Sequence, residues 1–300
     1  MAFGKGRETK EVVIKRYVGY APVKVLGVNL SKEQLSEIYG REVTKDRVYT
    51  GTVDVNGVSV DRATLSFVVK CELEGKEFIT TANFNLRNEK IVGAESGKTQ
   101  VVDEYGRTAW VTPEELENHA IPQYKNGPAN ITANYRPLYR GEETLTLFLQ
   151  RLLAIPNVTK FVDGKPAGLI DNPEDAECRL EHISDYFNGD FSEIEEILSY
   201  QPENKVTLLF GVRKGQDNNL YQDVFTDFAM LSNARNLAKF DEELKAAKAG
   251  NRYADTNFGE DKDGHVYPLT EYVETPTTFS SSAPSASVPN GGNPWFTKQS

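Results

Sequence analysis

Three stretches of this chain set flat aromatic rings beside cations. That combination lets a protein stack on unpaired bases and hold the phosphates between them. Residues 120–140, AIPQYKNGPANITANYRPLYR, contain no Asp or Glu and place Tyr124, Tyr135 and Tyr139 beside Lys125, Arg136 and Arg140. Residues 105–110, YGRTAW, offer Tyr105 and Arg107 around Gly106, with Trp110 close behind. Residues 205–228, KVTLLFGVRKGQDNNLYQDVFTDF, carry Arg213, Lys214 and Tyr221. Stacking tolerates any sequence because every base has a π-face, and each stacked base contributes about 1–3 kcal/mol. Each stretch also has an ordinary reading. Tyrosines pin a long loop to the body, a strand tryptophan belongs to a core, and a charged hairpin tip keeps a turn soluble.

The elements that must position these residues are mostly strands. Val206, Leu208 and Phe210 alternate with Thr207, Leu209 and Gly211, a period of two with one apolar exception. A polar cluster at 214–219 and a second β-prone run at 220–226 complete a hairpin, with Arg213 and Lys214 at its tip and Tyr221 just past the turn. Further strands are predicted at 12–26, 48–55, 64–73, 77–86, 99–102 and 107–112, with Asn56-Gly57 the clearest hairpin turn. Ser31 with Gln34 caps a short helix over 32–39 that stops at Gly40. Thr112-Pro113-Glu114-Glu115 opens another helix. An irregular segment follows over 120–141. Helices are then expected at 142–154, 173–187, 191–200, 228–237 and 240–249. Short, regularly spaced strands point to an antiparallel barrel or sandwich.

Bulk properties bound the function. The 300 residues are 39% hydrophobic and 26% charged, with a net charge of -10, which argues against a generally basic nucleic-acid binder. The charge is segregated, however. Residues 1–16 carry five cations and two carboxylates, while residues 255–300 carry six carboxylates and two lysines. A basic front and an acidic back suit a protein that binds a polyanion and regulates it with a tail. Residues 1–10 read as a flexible basic arm, 11–250 as the folded body and 251–300 as an acidic, low-complexity tail ending in Trp295 and Phe296. Within the body, 11–112 is β-rich, 113–200 is loop and helices, and 205–250 is hairpin and helices. The only cysteines are Cys71 and Cys178, with no CxxC, so no structural zinc is expected. The first residues, MAFGKGRETKEVVIK, hold no apolar h-region, which argues against a signal peptide, and no run approaches the ~18 apolar residues of a membrane span.

Enzyme signatures are poor. Gly4-x-Gly6 opens an arm rather than following a strand, and Gly211–Gly215 lacks the GK[S/T] ending of a phosphate-binding loop. His119, His182 and His265 are scattered singly. Asp255, Glu260, Asp261 and Asp263 form a solvated charge run rather than a spaced metal set. No catalytic residue, cofactor or metal ligand is assigned.

Two resemblances sharpen the reading. A body joined through a Ser/Pro/Gly linker (277–292) to terminal aromatics resembles the layout of bacterial and phage single-stranded-DNA-binding proteins. In that layout apolar tail-tip residues recruit partners, which implies the role for Trp295 and Phe296. The final WFTKQS is not acidic, unlike the tail tip of those proteins. The chain also resembles the single-stranded-DNA-binding protein of crAss-like bacteriophages through KGRETKEVVIKRY, YGRTAWVT, NGPANI, YRPLYRGEE, AIPNV, NKVTLLFGVR and LYQDVFTDF, which span nearly the whole folded part. That resemblance implies an OB-like barrel with helical insertions, the basic-aromatic sites lining its groove. It also implies a phage-encoded protein working in the host cytoplasm. The zinc site of some such phage proteins is missing here with its cysteine ligands.

The expected fold is therefore α+β and β-rich: an OB-like antiparallel barrel with helical insertions and a disordered C-terminal tail. The expected function is non-enzymatic, sequence-tolerant binding and protection of single-stranded DNA in replication or recombination. The partners are single-stranded DNA and, through the tail, replication proteins. Two alternatives stand beside it. A phage interaction or virion-assembly protein predicts no strand binding, and a metal-dependent nuclease predicts Mg²⁺-dependent turnover.

Overall fold

A computed structural model describes residues 15–73, 76–104, 106–122, 131–153, 161–162, 165–166, 180–201, 206–231, 234–250, 253 and 255–273. The strands are β1 (Tyr17–Val28), β2 (Thr50–Val55), β3 (Val58–Leu73), β4 (Lys76–Lys90), β5 (Thr99–Asp103), β6 (Thr108–Val111), β7 (Tyr135–Pro137), β8 (Tyr139–Arg140), β9 (Phe161–Val162), β10 (Lys165–Pro166), β11 (Val206–Lys214), β12 (Leu220–Leu231), β13 (Thr256–Asn257) and β14 (Thr270–Glu271). The helices are α1 (Lys32–Tyr39), α2 (Pro113–Asn118), α3 (Glu142–Leu152), α4 (Ser192–Ser199) and α5 (Ala234–Ala249).

The main sheet is antiparallel and runs β12-β11-β1-β3-β4-β8, with β2, β13 and β14 added at its margins. It curls into a half-barrel, so that β12 also approaches β4. The architecture is thus α+β and β-rich, as expected. Alternation builds the concave face. Ala21, Val23 and Val25 of β1, Ala63, Leu65, Phe67, Val69 and Cys71 of β3, and Phe84 and Leu86 of β4 all point into one core. Leu145, Phe148, Leu149 and Leu152 give α3 an apolar stripe that covers this face. Phe148 meets Phe67 and Phe84 at centroid distances of 5.3 and 4.9 Å.

Strand β11 is buried along seven consecutive residues. Val206, Leu208 and Phe210 face the main core, while Leu209 faces a second cluster with Phe240, Leu244, Phe258 and Val266. A strand covered on both faces needs no polar alternation, which explains the apolar exception in its pattern. A third cluster, with Val101, Ala109, Val111, Ile131 and Tyr135, belongs to a three-stranded sheet in the order β6-β5-β7.

Signals carried by local chemistry appear where the sequence places them. Asn56 (φ 54°) and Gly57 (φ 83°) are both left-handed, as a two-residue hairpin turn of the twist-matching kind requires. Ser31 with Gln34 and Thr112 with Glu115 form complete capping boxes.

Four expectations need correction. Residues 228–231 continue β12 rather than a helix, because Met230 and Leu231 pair with Thr207 and Val206 across the ladder; α5 begins at Ala234. Of the helix expected at 173–187, only Leu180 onward is described, as turns and a 3₁₀ segment at Asp185–Asn188. The segment expected to be irregular over 120–141 contains β7 and β8. The body also extends past residue 250: β13 pairs with β11, β14 pairs with β1, and Phe258 and Leu269 are buried. The basic arm (1–10) and the terminal aromatics Trp295 and Phe296 lie outside the described residues, as does most of the predicted tail.

Candidate nucleic-acid interface

The three stretches have different fates. Tyr105, Tyr124 and Lys125 lie outside the described residues. In residues 131–140, Tyr135 is only 2% exposed, which is a correction: a base cannot stack on a ring inside the third cluster. Its hydroxyl donates to the carbonyl oxygens of Glu115 and Ala120, and burial pushes its pKa up. Arg136 is also committed inward. Its guanidinium makes a two-pronged contact with Glu142, at 2.9 and 2.7 Å, and donates to Leu180 O at 2.7 Å. Glu142, 1% exposed, accepts from Tyr139 N as well, so this buried pair locks the β7–β8 corner onto the start of α3. Tyr139 is half-buried, edge-on to Phe187, with Arg136 5.8 Å from its ring centre.

Strands β5 and β6 pair as an antiparallel hairpin. Arg107 is anchored on the fully buried Asp103, which also accepts from Arg107 N and Thr132 N. Pairing of β5 with β7 sets Asp103 opposite Tyr135, so two of the stretches are neighbours. Trp110 faces outward at 41% exposure, while Ala109 and Val111 face in. It is therefore available to a ligand rather than part of the core.

The third stretch stands on the β11–β12 hairpin, at the far end of the strand order. Arg213 and Tyr221 are cross-strand partners, with the guanidinium 5.5 Å from the ring centre. Arg213 also binds Asp223 at 2.9 Å. The Tyr221 hydroxyl donates to Asp217 at 2.7 Å, a bond that holds the Asp217 carboxyl below the usual range and raises the Tyr221 pKa. Tyr221 is 42% exposed and Lys214 is exposed beside it. This is a ready cation–aromatic corner.

The sheet's outer face carries something the sequence reading missed. Arg62 of β3 pairs with Arg87 of β4, and Arg87 pairs with Arg140 of β8. Directly opposed residues of antiparallel strands project from the same face. Their neighbours Ala63 and Leu86 point into the core, so the three arginines form one row across the convex side. Adjacent like charges repel. Glu89 is the counter-charge in contact with the row, 3.0 Å from Arg87 and 3.8 Å from Arg140. The first contact is a charge contact, since Glu89 Oε2 accepts no aligned hydrogen bond. Arg62 Nε is buried without a hydrogen-bond partner among the described residues. Only Arg140 was expected here; a row assembled from three strands leaves no local trace in the sequence. Among the described residues, one carboxylate in contact with the row stands against three guanidinium groups, an excess of positive charge suited to an anion, and planar guanidinium forks suit phosphate.

No cluster of three or more metal-ligating side chains occurs among the described residues, and no described helix is long and apolar enough to cross a membrane. Comparison with protein-family models, with curated proteins and with solved structures finds no match for this chain.

Proposed function

We propose that this protein binds single-stranded DNA without sequence preference, protecting it during phage replication or recombination. The observation that carries the reading is the Arg62–Arg87–Arg140 row, a line of guanidinium groups in excess of its counter-charge on an otherwise acidic molecule. Local concentration of cations matters more for a polyanion than net charge, because it is the phosphates contacted that release counterions. Trp110 and the Arg213–Tyr221 corner offer exposed aromatic rings for base stacking. In this reading the half-barrel is an OB-like barrel, and Trp295 and Phe296 recruit replication proteins in the host cytoplasm.

The test is a fluorescence-anisotropy titration of a labelled dT oligonucleotide over a salt series, with unlabelled duplex as competitor. The expected outcome is saturable binding that weakens linearly in log–log form with salt and resists duplex. Absence of binding at low salt overturns the reading.

A further inference from the structure

The β2–β3 hairpin reaches beyond the sheet. Residues 58–61 of β3 pair only with β2 among the described residues, because the β3–β4 ladder ends at the Arg62–Arg87 pair. The register gives this arm two unlike faces. Val53 opposes Val60 and Val55 opposes Val58 on one face; Thr52 opposes Asp61 and Asp54 opposes Ser59 on the other. The valine face is the arginine face, since Gly51 opposes Arg62 in the next row. Val58 is 62% exposed, and a side chain at Gly51 would meet nothing within 4 Å. Successive rows on one face of a strand are about 7 Å apart. Moving outward, the order is therefore an arginine row, then two valine rows, with an open gap at Gly51.

We infer that the valine face of the β2–β3 arm is a base-contacting extension of the arginine row, taking unpaired nucleobases of a strand whose phosphates lie on Arg62, Arg87 and Arg140. This rests on the proposed nucleic-acid reading and deepens it. The arginine row recognises phosphate, which single strands and duplexes both carry. The valine rows add selectivity, because only an unpaired strand can turn apolar base faces toward them. A free two-stranded arm is marginal in water, so covering its apolar face on binding is favourable. Charge fixes the side: Asp54 and Asp61 repel phosphate from the opposite face, and the arginines attract it to this one.

The test uses the full chain and two probes, a dT oligonucleotide and an abasic oligonucleotide of equal length. The unaltered protein should bind dT more tightly than the abasic strand. In the Val55→Ser, Val58→Ser variant the dT affinity should fall roughly three- to tenfold while the abasic affinity stays constant. Because that variant could loosen the arm, Val58→Trp provides an independent readout at an exposed position. Its added emission should be quenched by dT and left unchanged by the abasic strand. Equal dT affinity in the serine variant, together with unquenched emission from the Val58→Trp variant, overturns the inference and leaves the arginine reading standing. A drop in mass of the free protein on serine substitution, with dT affinity intact, assigns the valine face to self-association and also overturns it. Failure of the unaltered protein to bind either probe overturns both.

Discussion

Glu142 and Tyr135 show how far a residue's surroundings decide its role. Both sit in or beside the stretch with the strongest aromatic–cation pattern, yet the side chains that made that pattern conspicuous turn inward. Tyr135 donates its hydroxyl to two carbonyl groups at the end of α2, and Arg136 neutralises a carboxylate that is almost wholly buried. Tyr135→Phe should therefore destabilise the fold by about 1–2 kcal/mol, read by chemical denaturation, because a buried hydroxyl hydrogen bond shared between the Glu115 and Ala120 carbonyl groups is lost. Its affinity for dT should be unchanged. A weakened affinity with unchanged stability would return Tyr135 to the interface. Arg140, on the next strand, points the other way and joins the convex row. No property of the local sequence separates these two outcomes; the pairing partners of β7 and β8 do.

Among the elements, the parts legible in the sequence were those specified by chemistry within a few residues. The Asn56-Gly57 turn, the two capping boxes and the β11–β12 hairpin all follow from such signals. The parts that were not legible depend on distant partners. Strand β12 runs on through residues with helical pattern because β11 offers a ladder for Met230 and Leu231. Residues 255–271 look like solvated loop, but they cover the second face of β11 and extend the sheet. The corner between β8 and α3 depends on Gly141, at φ 90°, where an added Cβ would lie 2.3 Å from Asn85 O. Gly141→Ala should cost about 1–3 kcal/mol or more, since it combines a left-handed backbone with a clash against backbone that cannot swing aside. Thermal unfolding checks this, and an unchanged midpoint would show that the corner adjusts freely. Because β8 carries Arg140, the same substitution should weaken dT binding modestly.

At the scale of the whole molecule, an acidic chain concentrates an excess of positive charge on one convex face and leaves an apolar arm beside it. The composition argues against a generally basic binder, and the fold removes the objection by gathering arginines that lie far apart in the chain. The half-barrel supplies the rigid platform for this: α3 and α4 pack on its concave side, α5 covers the outer face of β11, and the row lies on the outer face of β3, β4 and β8. The most direct test of this account is the salt dependence of dT binding for the unaltered chain and for Arg62→Ala/Arg87→Ala/Arg140→Ala, with circular dichroism confirming the same fold. Three lost phosphate contacts should make the log–log slope shallower by about 2 and weaken binding at low salt to every sequence alike. An unchanged slope and affinity in a correctly folded triple variant would contradict the account.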